Sequence, residues 1–196
     1  TAAEEEDEED ALPAELFDKK GRLKRKLRPV DGLRLPAEYR EVDQDGIRFA
    51  YHPSTRERIR PLFERVGAIR ATLAGLVGVD VLRRVEVRVA AVPAEMVSLS
   101  PGEVPASATS VAFFEPRLVV MSVVGPQSSA PLDVESTLTH ALAHIALDEA
   151  TGGADVPLWF HEGFAFNVAE SGDLSSKRAL VDAAVFGRFL TLDELP

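Results

Sequence analysis

The chain has 196 residues, 45% of them hydrophobic, and carries 22 Lys and Arg against 32 Asp and Glu for a net charge of −10. That length and apolar content suit one globular domain with its own core, plus tails. The acidic balance excludes a duplex-binding role, which needs a basic face, so no nucleic-acid partner is expected. The chain holds no cysteine. Disulfides and thiolate-ligated metals are therefore excluded, and any metal site must be built from His and carboxylates.

Glu4 to Asp10 is an unbroken acidic run, and a basic stretch from Lys19 to Arg28 follows it. Such blocks repel themselves and stay solvated, so residues 1–32 are predicted to be a charged, flexible extension and 33–196 the folded domain. Asp45-Gly46 marks a turn, and the alternation of Ile47 to Tyr51 predicts a strand. Ser54 or Thr55 then caps a long amphipathic helix. Its apolar positions Ile59, Leu62, Phe63, Val66, Ile69, Leu73 and Leu76 recur every three or four residues up to Gly78. Val85 to Val92 reads as a strand, and Met96 to Ala106, rich in Pro, Ser and Gly, as a loop. Thr109 to Phe114 and Leu118 to Val124 read as two further strands around Glu115-Pro116, and Gly125 to Pro131 as a loop. Asp133 or Ser136 caps a helix that closes at Gly152-Gly153, Pro157 opens another, and Leu174 to Leu190 is a third helical stretch. No internal repeat and no apolar run near the ~20 residues of a membrane helix is present. The order predicts an α+β fold: a small mixed, largely antiparallel sheet packed on a helix pair.

That pair carries the chemistry. His140 and His144 stand four apart on one predicted helix, slightly more than one turn, so both imidazoles can reach one metal ion. Glu162 follows on the next helix. A His2Glu set leaves one zinc position open, the arrangement of a catalytic rather than a structural site. Peptide hydrolysis at such a site also needs a glutamate directly after the first histidine as general base, and Ala141 stands there.

These residues carry a resemblance. Thr139-His140-Ala141-Leu142-Ala143-His144 resembles the T-H-E-L-A-H form of the HExxH motif. Pro157 to Ala165 resembles the P-x-W-x-x-E-G-x-A segment of the peptidase MA-like gluzincins, distant relatives of thermolysin. The resemblance covers roughly Gly46 to Pro196, with its specificity concentrated between Leu138 and Ala165. It implies a zinc metallopeptidase domain binding one Zn2+ through His140, His144 and Glu162, with the family's general base falling on Ala141. It also implies a peptide or protein substrate lying along an antiparallel edge strand, for which Ser110, Val111, Ala112, Phe113 and Phe114 are the candidates by order. Family members usually carry an oxyanion-stabilising Tyr or His on helices further along, an element expected here to be missing or supplied elsewhere.

Two origins fit Ala141. A deliberate Glu→Ala change removes the base and leaves the cage, and it accounts for every other part of the motif being kept. The alternative is a natural pseudopeptidase that binds a peptide or protein without cutting it. Either form is expected to be catalytically inactive.

Around the cage, Asp148 lies one helical turn after His144 and is a candidate to hold an imidazole, ahead of Asp133, Glu135, Glu149 and Asn167. His161 precedes Glu162 and so points about 100° away from it. It is a candidate to line the cleft, with a solvent-facing ring as the simpler expectation. Trp159, Phe160, Phe164 and Phe166 are expected to pack the helix against the sheet. A start at Thr1, the charged leader and the lack of cysteine point to a processed chain of a bacterial envelope or secreted setting.

Overall fold

The computed structural model of the chain describes residues 33–125 and 132–170. The charged leader over 1–32, most of the loop before Pro131 and the helical stretch from Leu174 to Leu190 lie outside the described residues. The described part is α+β: a five-stranded sheet in the order β1-β2-β3-β5-β4 with four α-helices.

The strands are β1 (Arg40–Gln44), β2 (Ile47–Tyr51), β3 (Val85–Ala90), β4 (Ser110–Phe113) and β5 (Leu118–Ser122). β1 and β2 form a hairpin across Asp45-Gly46, with Arg40 opposite Tyr51. The sheet is mixed: the two edge pairings, β1–β2 and β4–β5, are antiparallel, and the two central ones, β2–β3 and β3–β5, are parallel. Parallel neighbours require a crossover. Helix α1 (Arg56–Val77) supplies it between β2 and β3, ending on Gly78 at φ 75° with its N–H bonded to the Ala74 carbonyl. Only glycine takes that left-handed C-terminal position at no steric cost. The apolar positions read as the helix face are the buried ones, apart from Phe63, which is partly buried.

The sheet buries both faces. Ile47, Phe49, Val87, Val119 and Met121 face a large core shared with α1, α3 (Val134–Ala150) and α4 (Leu158–Glu170). Val120, Leu118 and Phe113 face a smaller core closed by Met96 and Leu99. That is why β5 is buried at every position and reads as an unbroken apolar run. Two expectations need correction. Arg40–Gln44 is a strand, and the stretch taken as loop from Met96 contains a one-turn helix, α2 (Met96–Leu99).

A buried tie sets α3 relative to the sheet. Glu149, near the end of α3, accepts the Leu82 backbone N–H at 2.7 Å and pairs with Arg117 at 3.0 Å. Arg117 in turn donates to the Arg83 carbonyl at 3.0 Å. Leu82, Arg84 and Arg117 all hold positive φ (63°, 59° and 50°), so this junction stores backbone strain. Glu149→Ala leaves the Leu82 N–H without its acceptor. The expected loss is about 1–3 kcal/mol, seen as a lower midpoint in urea unfolding with an unchanged slope.

Candidate metal centre

Asp133 caps α3, its side chain accepting the N–H groups of Glu135 and Ser136. Leu138, Ala141, Leu142, Ile145 and Ala146 are then buried against α1, α4 and the sheet. His140 and His144 fall on the remaining, half-buried side. After α3, Gly152 and Gly153 take φ of 63° and 73° and turn the chain back. The Pro157 carbonyl accepts the N–H groups of Phe160 and His161, opening α4 beside α3. Glu162, one turn into α4, thereby reaches both histidines.

The three expected ligands meet. The Nε2 atoms of His140 and His144 lie 3.2 Å apart. The Glu162 carboxylate comes within 3.5 Å of the first and 3.6 Å of the second. Taking one donor atom from each residue, all three lie within 4.8 Å of one another. Zinc bonds of about 2.0–2.2 Å in tetrahedral geometry separate neighbouring donors by about 3.3 Å, so this set fits such an ion with little movement. No other group of three metal-ligating side chains occurs among the described residues.

The electrostatics suit a cation. Burial, then the neighbouring charges of His140 and His161, pushes His144 down to about 3. Its ring is therefore neutral near pH 7 and offers a lone pair, the form a metal requires. The Glu162 side chain is 55% exposed and keeps the group open to solvent.

His161 corrects an expectation. Its ring is buried rather than facing solvent, at 8% exposure. It stacks between Phe114 and the candidate ligand His144, with ring centroids 5.6 and 5.7 Å away. The reason is the helix face: position 161 shares the inward side of α4 with Phe164, Ala165 and Val168. Burial lowers the His161 pKa, opposed by the charges of Asp148 and Glu162. Its Nδ1 is buried and has no hydrogen-bond partner. Asp148 thus exerts its charge on His161. Three of the weaker candidates are occupied elsewhere: Asp133 in the cap, Glu135 with Arg65 at 2.9 Å, Glu149 in the strained junction.

Ala141 is 1% exposed and belongs to the core beneath the cage. Among the described strands the expected substrate strand is an edge: β4 pairs with β5 and runs antiparallel to it. Ala112 turns toward the helix-side core, and Val111 and Phe113 toward the opposite one. Phe114 lies just past the strand, and its contact with His161 is the feature the sequence did not signal. Trp159 and Phe166 are a second correction. Phe160 and Phe164 pack inward at 2% and 3% exposure, but Trp159 and Phe166 are exposed. No family model, curated protein or solved structure matches this chain.

Proposed function

We propose that the chain is a gluzincin-type zinc metallopeptidase domain in a form that lacks its general base. The observation that carries the reading is the convergence of His140, His144 and Glu162 from two helices onto one point. The two imidazoles supply nitrogen donors and Glu162 a carboxylate, leaving a fourth position for water or substrate. Zinc held there supplies Lewis acidity and lowers the pKa of water. The chain's own groups do the rest. β4 stands at the edge of the sheet among the described residues, the place where an extended peptide adds as a further strand, and α3 packs against it. A proton acceptor beside His140 is what Ala141 does not provide.

A second reading is a non-catalytic peptide- or protein-binding module. The burial of Ala141 favours it, since a core position filled by alanine needs no glutamate to be well packed. No described helix is long and apolar enough to cross a membrane. An envelope or secreted setting remains part of the proposal.

Metal analysis tests the reading. After dialysis against zinc, the chain should hold one ion per molecule, and His140→Ala and Glu162→Ala should each weaken binding by at least about 10²-fold in competition with a chromogenic chelator. Binding unaffected by either change would end the metallopeptidase reading.

A further inference from the structure

On α4 the positions facing solvent are Leu158, Trp159, Glu162, Gly163 and Phe166. At about 100° per residue they fall within an arc of about 140°, so they form one face. Leu158, Trp159 and Phe166 are 73%, 66% and 56% exposed. The inward face of α4 is apolar as well, and a helix hydrophobic on both sides is expected to be covered on both. Here the outward apolar face surrounds the carboxylate of a candidate zinc ligand.

Charge selects the occupant. Residues 132–170, which hold α3 and α4, contain no Lys or Arg but seven acidic residues: Asp133, Glu135, Asp148, Glu149, Asp155, Glu162 and Glu170. Glu135 and Glu149 are paired with Arg65 and Arg117. The stretch 89–116, which carries β4, also has no Lys or Arg. The α3–α4 face of a second copy, or an anionic membrane, would meet like charge on this surface. A peptide that is both cationic and aromatic meets complementary charge and apolar area together.

We propose that the outward face of α4 is the specificity surface of the cleft and selects peptides in which an aromatic or large aliphatic residue is flanked by Lys or Arg. This deepens the metallopeptidase reading and rests on it for the nature of the ligand. The aromatic side chain packs on Trp159 and Phe166 while the flanking cations sit in the acidic field of α3 and α4.

Trp159 is the only tryptophan, so its fluorescence reports this face directly. The experiment uses the zinc-dialysed full chain and three labelled decapeptides: one with phenylalanine flanked by lysines, one with glutamates replacing the lysines, and one with alanine replacing the phenylalanine. Anisotropy and Trp159 emission are read together, with zinc content and molecular mass measured on the same samples. The lysine–phenylalanine peptide should bind at least about tenfold tighter than either control and shift Trp159 emission. Trp159→Ala and Phe166→Ala should each weaken it about tenfold without changing zinc content. Raising salt from about 50 to about 300 mM should weaken it several-fold. Equal binding of the glutamate peptide, or unchanged binding by both variants, overturns the proposal. A Trp159 shielded from acrylamide in the free protein also overturns it, because the face is then already covered, by a second copy if the mass is doubled and by the chain itself if not. The two readings fail separately. Zinc held without peptide preference removes this inference alone, and the preference persisting in a chain that holds no zinc removes the metallopeptidase reading alone.

Discussion

Ala141→Glu is expected to turn on chelator-sensitive peptide cleavage, with a rate about 10²- to 10⁴-fold above that of the alanine form, the usual contribution of a positioned general base. Position 141 is next to His140 and 1% exposed. A glutamate there is desolvated, which raises its pKa toward neutrality and improves it as a proton acceptor near pH 7. The same burial has a cost. Replacing a core alanine by a carboxylate is expected to lower the thermal midpoint unless the carboxylate reaches the cleft. Ala141→Gln separates the two effects, because it has the same shape and no base. Zinc content should be equal in all three forms, and cleavage of a diverse peptide pool should appear only in the glutamate form. Folded, zinc-loaded Ala141→Glu protein that cuts nothing would make the chain a pseudopeptidase, and cleavage by the glutamine form would remove the assigned role of position 141.

The parts of the fold legible in the sequence are those where one face is wet and the other dry. α1 has charged residues opposite Ile59, Leu62, Val66, Ile69 and Leu73, so its period is plain and its end at Gly78 is marked by a residue that tolerates φ of 75°. β1 is Arg-Glu-Val-Asp-Gln, an exposed edge whose only apolar residue is Val42, and a charged edge protects the sheet while hiding the strand from a hydrophobic pattern. α2 is four residues long, too short to show a period. The candidate metal triad was legible because its spacing is itself a geometric condition: four residues on α3 put two imidazoles on one side. The surroundings of the cage were not. α4 carries Leu158, Trp159, Phe160, Phe164, Phe166 and Val168 on every side, so no periodicity distinguishes inward from outward. Only the packing of α4 against α3 decides that His161 is buried between Phe114 and His144 and that Trp159 and Phe166 stand in solvent.

Acid is expected to destabilise the zinc-free protein through His144, and zinc to counter this. An unperturbed imidazole titrates near 6.5, whereas burial and the charges of His140 and His161 bring His144 down to about 3. As pH falls below about 6.5 the unfolded chain takes up a proton at this residue and the folded chain does not. Stability is therefore fully present above about 6.5 and is lost progressively down to about 3, by an amount on the order of a few kcal/mol. Carboxylates add their own acid dependence, so the readout is a difference: His144→Gln removes the titrating group and should flatten the fall in thermal midpoint between pH 7 and pH 5, above the range of most carboxylates. Zinc reverses the balance at neutral pH. At about 1,000 times its dissociation constant a ligand confined to the folded state adds about 4 kcal/mol, and the metal needs the same neutral nitrogens that protons occupy. The zinc-induced rise in midpoint should thus be large at pH 7.5 and be absent in His144→Gln at every pH. A rise that survives in His144→Gln would place the ion elsewhere, and an apo pH profile identical in the two forms would show that His144 is not held neutral by the fold.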